Sequence, residues 1–362
     1  MSADTPSHPL IETSVSAVID GQLTYRGIPV QEIVEHGDFA TTAWLLWHGA
    51  LPTSAEQGEL ASSLAAAWDL PREMTTRLRA LPPTTPILTV LRDAIATVEL
   101  ASPRPWASSS GSGSPTDPLR LLGMLPNVAA LWHHIAAGRP HFAPRVEGSP
   151  AARLLHALRG EAPSDAEARA LDRALILYAD YGLAASTLAV RVAAAAEASL
   201  PTALITALCV VSGPLHGDVL DQIAQFLADI PAPNEAPRAV EPLLRLGLLP
   251  PGFAAPADPR TAPFRRLAAA PGRGPWLKVA DAVADAVHTR TGCTPTADLY
   301  AAVLLNGLGI PRDLAPAIFA LGRAAGWIAH ALEQQADNRF APPTARYIGP
   351  PVTAWPTRRA RP

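Results

Sequence analysis

The chain is 362 residues long, 48% hydrophobic and 17% charged, with a formal charge of -3. That length fits about two domains, and mild acidity without a basic block excludes a surface built to track nucleic-acid phosphates. Glu, Arg, Pro and Gly interrupt every apolar run before it reaches the roughly 20 residues of a membrane span, so no membrane partner is expected. The start, MSADTPSHPLIETS, has neither a basic head nor an apolar stretch, which predicts a cytoplasmic chain. Cys209 and Cys293, the only cysteines, belong to no CxxC pair or Cys/His set, so neither a disulfide framework nor a metal site is expected.

In chain order, SAVIDGQLTYRG (16–27) alternates apolar and polar residues around Asp-Gly, the pattern of a β-hairpin. Residues 30–70 read as helices broken at His36-Gly37-Asp38 and again from Gly49 to Thr53, and residues 86–101 as another helix. PRPWASSSGSGSPTDP (103–118) is too polar to pack and reads as a mobile surface loop. Helices are predicted at 119–137 and 164–198, followed by the small-residue run 193–211. Gly213 and Pro214 stop that run, because Pro lacks an amide hydrogen and clashes with the preceding turn. Beyond them lie a helix at 219–230, a Pro-rich segment at 246–263, and helices at 275–290 and 316–338. Most of the 39 prolines gather between alanine-rich runs, so the expected fold is all-α with a small N-terminal β-hairpin. No fixed-period repeat indicates a solenoid.

The bend SGPLHGD (212–218) places His216 between two apolar helices. Helix ends expose unpaired backbone groups, a setting suited to proton transfer and equally to a simple capping histidine. Spacing alone leaves both open.

Taken together, the motifs resemble the citrate synthase family over nearly the whole chain. GQLTYRGIPVQEIVEHGDFATTAWLLWHGALPT is similar to the family's G-x-L-x-Y-R-G hairpin and the helix ending H-G-x-L-P-T; SGPLHGD resembles G-P-L-H-G-G; TPTADLYAA (294–302) resembles P-N-V-D-F-Y-S; and FALGRAAGWIAHALEQ resembles the segment ending G-R-T-A-G-W-x-A-H-x-x-E-Q. Order and spacing together make the match specific. The resemblance implies a two-domain helical fold: a large domain from residues 1–217 and 309–350, a small one from 218–308, and a tail at 351–362. It implies condensation of acetyl-CoA or another acyl-CoA with oxaloacetate or a related 2-oxo acid, followed by thioester hydrolysis. The CoA thioester is then a substrate and no cofactor is bound. It further implies Asp298 as the base that removes the methyl proton, His216 as the donor to the enol oxygen, and Arg260 and Arg323 as holders of the anionic acid, whose carboxylate a guanidinium fork matches. The implied assembly is a homodimer or a heteromer with a citrate synthase paralogue.

The departures cluster around the acceptor. The family's A-D-H-E-x-N-A-S-T reads ADYGLAAST here, so Tyr181 stands where the family's substrate-contacting histidine would be; a phenol donates a hydrogen bond but carries no positive charge. The loop GFAAPADPR is about four residues shorter than G-F-G-H-R-V-Y-x-x-x-D-P-R and has no histidine. The family's arginine after D-N-R-x-x aligns with Pro342 and Pro343. These changes predict weaker binding of a dianion, and with it either slower condensation with oxaloacetate or use of a different, less anionic 2-oxo acid. They leave a second reading, a catalytically impaired paralogue acting as a binding or regulatory subunit, and a third, thioester cleavage without condensation. His48, His133, His134 and His330 read as structural or surface residues.

Overall fold

The computed structural model describes residues 11–101, 117–140, 148–213, 219–254, 257–270, 276–339, 347–349 and 351. The expected loop falls largely on 102–116, outside the described residues, and so does His216.

The fold is helical with two small sheets. The N-terminal antiparallel sheet runs β1 (Ser16–Ile19), β2 (Gln22–Tyr25), β3 (Ile28–Pro29), with Ser16 opposite Tyr25 and Tyr25 also opposite Ile28. Both of its turns need left-handed backbone: Asp20-Gly21 at φ 49° and 76°, Arg26-Gly27 at 50° and 83°. Asp-Gly supplies this at low cost, as the sequence indicates. The helices that follow are α1 (Val30–His36), α2 (Phe39–His48), α3 (Ser54–Ala67), α4 (Arg72–Arg79), α5 (Ile87–Ala101), α6 (Pro118–Ala136), α7 (Pro150–Arg159) and α8 (Asp165–Tyr178). Next come α9 (Ala185–Ala195), α10 (Leu200–Val211), α11 (Val219–Ala228) and α12 (Ala236–Arg245). A two-stranded sheet, β4 (Phe253–Ala254) with β5 (Thr294–Pro295), encloses α13 (Thr261–Ala268) and α14 (Trp276–Thr291) in sequence, and α15 (Ala297–Gly307) and α16 (Ala315–Ala336) are the last helices among the described residues. No helix among the described residues is long and apolar enough to cross a membrane.

Asp38 and Thr53 close capping boxes on α2 and α3, which is why the breaks at 37–38 and 49–53 are readable from sequence. The predicted 164–198 helix behaves differently: it is interrupted at 179–184. Gly182, at φ +61°, is the local signal, and the Ala179 carbonyl accepts a tertiary hydrogen bond from Gly326 N–H (3.0 Å). Strand β4 and the start of α13 fall within the Pro-rich segment 246–263, while α12, the rest of α13 and β5 lie in stretches to which sequence reading assigned no helix or strand.

Helix α16 is the central strut. It is buried along most of its length, as expected of a helix apolar on every side. It meets α2, α6, α8, α9 and α10. Two glycines allow its approach to α8: a Cβ at Gly322 would lie 2.7 Å from the Cβ of Tyr178, and one at Gly326 would lie 2.3 Å from the Ala179 carbonyl oxygen.

Candidate active site

Two bodies of structure carry the site. The first joins the segment 252–261 to the start of α15. The β4–β5 pairing is extended by Thr296 N–H to the Gly252 carbonyl (2.8 Å) and by Thr261 Oγ1 to the Pro295 carbonyl (3.0 Å). Asp258 completes the joint. Its carboxylate accepts from Arg260 N–H (2.9 Å), Nε (3.0 Å) and Nη2 (2.8 Å), and also from Ala297 N–H (3.2 Å), in the first turn of α15. Burial alone would raise the Asp258 pKa, but the hydrogen bonds and charge of Arg260 outweigh it and hold the carboxyl below its ordinary value. Asp258 thus positions both Arg260 and the turn bearing Asp298.

The second body is the end of α8, the 179–184 break and α16. Tyr25, fully buried, places its hydroxyl 3.0 Å from the carbonyls of Ile176 and Asp180 and accepts from Asp180 N–H at 3.0 Å. The Asp180 carboxylate accepts from Ser16 Oγ and Gly182 N–H and lies 3.2 Å from His330 Nε2. His330 Nδ1 in turn accepts from Arg191 Nε (3.1 Å), and Arg191 also bonds Gln334 and Glu333. His330 is therefore the middle of a buried polar chain that fixes the break against α16. A buried network of this kind rigidifies the backbone it holds, although its hydrogen bonds to Asp180 all fall on Oδ2 and leave Oδ1 without a partner among the described residues.

Four of the five site residues expected from sequence converge where these bodies meet. Arg323, buried on α16, donates Nε to the Tyr178 carbonyl (2.8 Å), and its Nη groups make no hydrogen bond among the described residues. The guanidinium carbon of Arg260 sits 4.0 Å from the centre of the Tyr181 ring, a cation–π contact. Asp298, in the first turn of α15, accepts from the Tyr178 hydroxyl at 3.3 Å. The fifth residue, His216, lies outside the described residues.

The charge of Asp298 is set by competing neighbours. Burial raises its pKa above the ordinary carboxylate value, Arg260 pulls it down, Asp258 pushes it up, and the Tyr178 hydrogen bond lowers it. A carboxylate of raised proton affinity is a stronger base, the property that abstraction of a carbon-bound proton requires. Burial and the nearby Asp298 keep the Tyr178 phenol protonated, so it stays a donor. Its ring is held by Phe264 (centroids 4.9 Å apart) and Phe319 (5.3 Å, edge-on).

Tyr178→Phe is accordingly expected to raise the Asp298 pKa further. Reaction needs the ionised carboxylate, so activity is present above that pKa and lost as pH falls through it. The acid limb of the pH–rate profile should move to higher pH, measured by thiol release between pH 5 and 9, a span chosen to bracket a raised carboxylate. An unmoved limb would show that the phenol does not tune the base.

Sequence reasoning missed Asp258 and Tyr178. Asp258 was signalled only by its place two residues before Arg260. Tyr178 had no sequence signal, because its partner Asp298 is 120 residues away. A cavity of about 80 Å³ between the hairpin and Pro259–Pro263 reaches the other side of Arg260 and is far too small for an acyl-CoA. Among the described residues no cluster of three or more His, Cys, Asp or Glu side chains has metal-binding geometry.

With this arrangement in view, the relationships of the chain are clear. A family profile described as Citrate synthase, C-terminal domain, matches residues 7–346. The chain is 32% identical over 356 residues to Citrate synthase 2 of Bacillus subtilis, covering 93% of each protein. It is 29% identical over 354 residues to 2-methylcitrate synthase 2 of Corynebacterium glutamicum, covering 93% of this chain and 92% of that one. Its fold matches the crystal structure of citrate synthase from Thermotoga maritima with a TM-score of 0.84 at 28% identity, over 96% of this chain and 95% of that one. The chain belongs to the citrate synthase family.

Proposed function

We propose that this protein condenses an acyl-CoA with a 2-oxo acid. Asp298 removes a proton from the carbon next to the thioester, and His216, by family resemblance, donates a hydrogen bond to the enol oxygen. The enol carbon then attacks the ketone carbon of the acceptor, forming a carbon–carbon bond as the ketone oxygen takes up a proton. Water cleaves the thioester, releasing CoA thiol and a carboxylate. The observation that carries this reading is the setting of Asp298: a carboxylate of raised proton affinity, oriented by a phenol, beside two buried arginines.

Because Asp298, Asp258 and Arg260 ride on one body and Tyr178, Tyr181 and Arg323 on the other, relative motion of segment 218–308 against the rest would open and close the site. Closure that assembles the site and expels water is a common device for such chemistry. Mass-spectrometric deuterium uptake into the acyl methyl of acetyl-CoA in heavy water, with 2-oxo acids present and absent and alongside thiol release, tests the reading. Uptake together with thiol release that depends on a 2-oxo acid is the expected result. Absence of both across a panel of acyl-CoAs and 2-oxo acids would favour a non-catalytic role, the reading that the lost loop histidine supports.

The assembly proposed is a homodimer. Leu188 and Val192, one turn apart on α9, are 41% and 47% exposed, next to Leu183 at 39%. An apolar stripe of this kind fits a second copy better than water. Light scattering on the eluting peak should give twice the mass of the 38.0 kDa chain, and a monomer mass at micromolar concentration would exclude a stable dimer.

A further inference from the structure

We propose that Asp180 is a positioning residue for the 2-oxo acid, held in place by one rung of the N-terminal hairpin. This rests on the condensation reading, since the groups it positions, Tyr181 and Arg323, are those the family resemblance assigns to that substrate.

The rung is Ser16 and Tyr25, cross-strand partners in the β1–β2 sheet. Both reach Asp180, 164 and 155 residues away. Tyr25 takes the main chain: its hydroxyl accepts from Asp180 N–H at 3.0 Å and stands 3.0 Å from the Asp180 carbonyl. Ser16 takes the side chain, its hydroxyl donating to Asp180 Oδ2. His330 Nε2 meets the same oxygen from α16, at 3.2 Å. Gly182 N–H closes the turn, 3.2 Å from both Oδ2 and Ser16 Oγ. Tyr181 is therefore bracketed. The residue before it is gripped by the hairpin and α16, and the residue after it is tied back to the Asp180 carboxylate. Gly182 meets this geometry at φ +61°, a conformation glycine adopts freely. The bracket turns the Tyr181 ring toward Arg260, 4.0 Å from its guanidinium carbon.

The same rung reaches Arg323. The Arg323 Nε donates to the Tyr178 carbonyl (2.8 Å) at the end of α8, where the Tyr25 hydroxyl also lies 3.0 Å from the Ile176 carbonyl. Asp180 is fully buried. Burial would raise its pKa, but the charge and hydrogen bond of His330, the charge of Arg323 and the Ser16 hydrogen bond hold it below its ordinary value. Its charge in turn favours the cationic form of Arg323 against the burial that disfavours it. Releasing Asp180 thus disturbs two substrate-facing groups together, and small misplacements in such a site are costly.

Calorimetric titration of the full chain with oxaloacetate tests this. The number of sites counts folded protein, and the Kd reports the site. Asp180→Ala removes the acceptor of three hydrogen bonds and is expected to weaken binding about tenfold or more with the number of sites unchanged. Asp180→Asn keeps an oxygen for Ser16, Gly182 and His330, and its amide takes the place of Oδ1, which has no partner among the described residues. It is expected to restore the affinity to within about threefold of wild type. Tyr25→Phe deletes one hydroxyl, is expected to weaken binding about threefold or more, and decides the matter if Asp180→Ala does not fold. Wild-type affinity in Asp180→Ala or, failing that, in Tyr25→Phe would overturn the proposal. So would Asp180→Asn binding as weakly as Asp180→Ala, or a loss of sites at constant affinity, the mark of a purely structural role. The expected pattern of affinities without thiol release from acetyl-CoA would overturn the condensation reading and leave the role of Asp180 standing. No binding of oxaloacetate by the wild type at millimolar concentration would overturn both.

Discussion

Asp298→Asn is expected to reduce deuterium uptake into the acyl methyl by about 10² to 10⁴-fold, the range a positioned general base contributes. The substitution is close to isosteric, and the Tyr178 hydroxyl that donates to Oδ1 at 3.3 Å can donate to an amide oxygen as well. Folding should therefore be preserved. Burial already disfavours the charged form of Asp298, so removing the charge is expected to leave thermal stability unchanged or slightly raised. Circular dichroism melts beside the exchange assay separate the two effects. A variant that folds and still exchanges at the wild-type rate would remove Asp298 from the role of base.

The second large effect is on stability. Gly326→Ala places a Cβ 2.3 Å from the Ala179 carbonyl oxygen, 2.5 Å from Asp180 Oδ1 and 2.9 Å from Asp180 Cβ. None of these atoms is the end of a flexible chain. Ala179 O also accepts the Gly326 N–H bond, and Asp180 is held by Ser16, Gly182 and His330. The helices must separate, at a cost of about 3 kcal/mol, the upper part of the usual range for overpacking a core. Urea unfolding should show a lower midpoint with an unchanged slope. Gly58→Ala is the control: it lies inside α3 with nothing within 4 Å of its new Cβ, and relief of glycine's backbone entropy should stabilise by about 0.5 to 1 kcal/mol. Equal midpoints for wild type and Gly326→Ala would contradict the close packing of α16 on residues 179–180. Because Tyr181 follows directly, this variant should lose acceptor affinity as well.

These two cases divide along a line that runs through the whole protein. Sequence alone determined the elements whose causes are local. The hairpin follows from Asp20-Gly21, whose positive φ angles few other pairs adopt cheaply. The breaks before α2 and α3 follow from Asp38 and Thr53, each capping residues within its own helix. Motif order identified the family, and within those motifs Arg260, Arg323, Tyr181 and Asp298 are residues that the structure brings together.

What tertiary structure decided has non-local causes. The gap between α8 and α9 arises because Tyr25, Ser16 and Gly326, all distant in sequence, capture the backbone and side chain at 179–182. Asp180, Tyr181 and Gly182 are weak helix formers, and the tertiary hydrogen bonds turn that local weakness into a break. The same physics hid the partner of the base. Tyr178 reads as one more apolar-face residue of α8 until the fold sets its hydroxyl against Asp298. Asp258 reads as a turn residue until Arg260 and the α15 amide close on it. A sequence can name the groups that do chemistry because their types recur in motifs; their proton affinities and pairings depend on burial and on charges brought from far along the chain, and only folding supplies those.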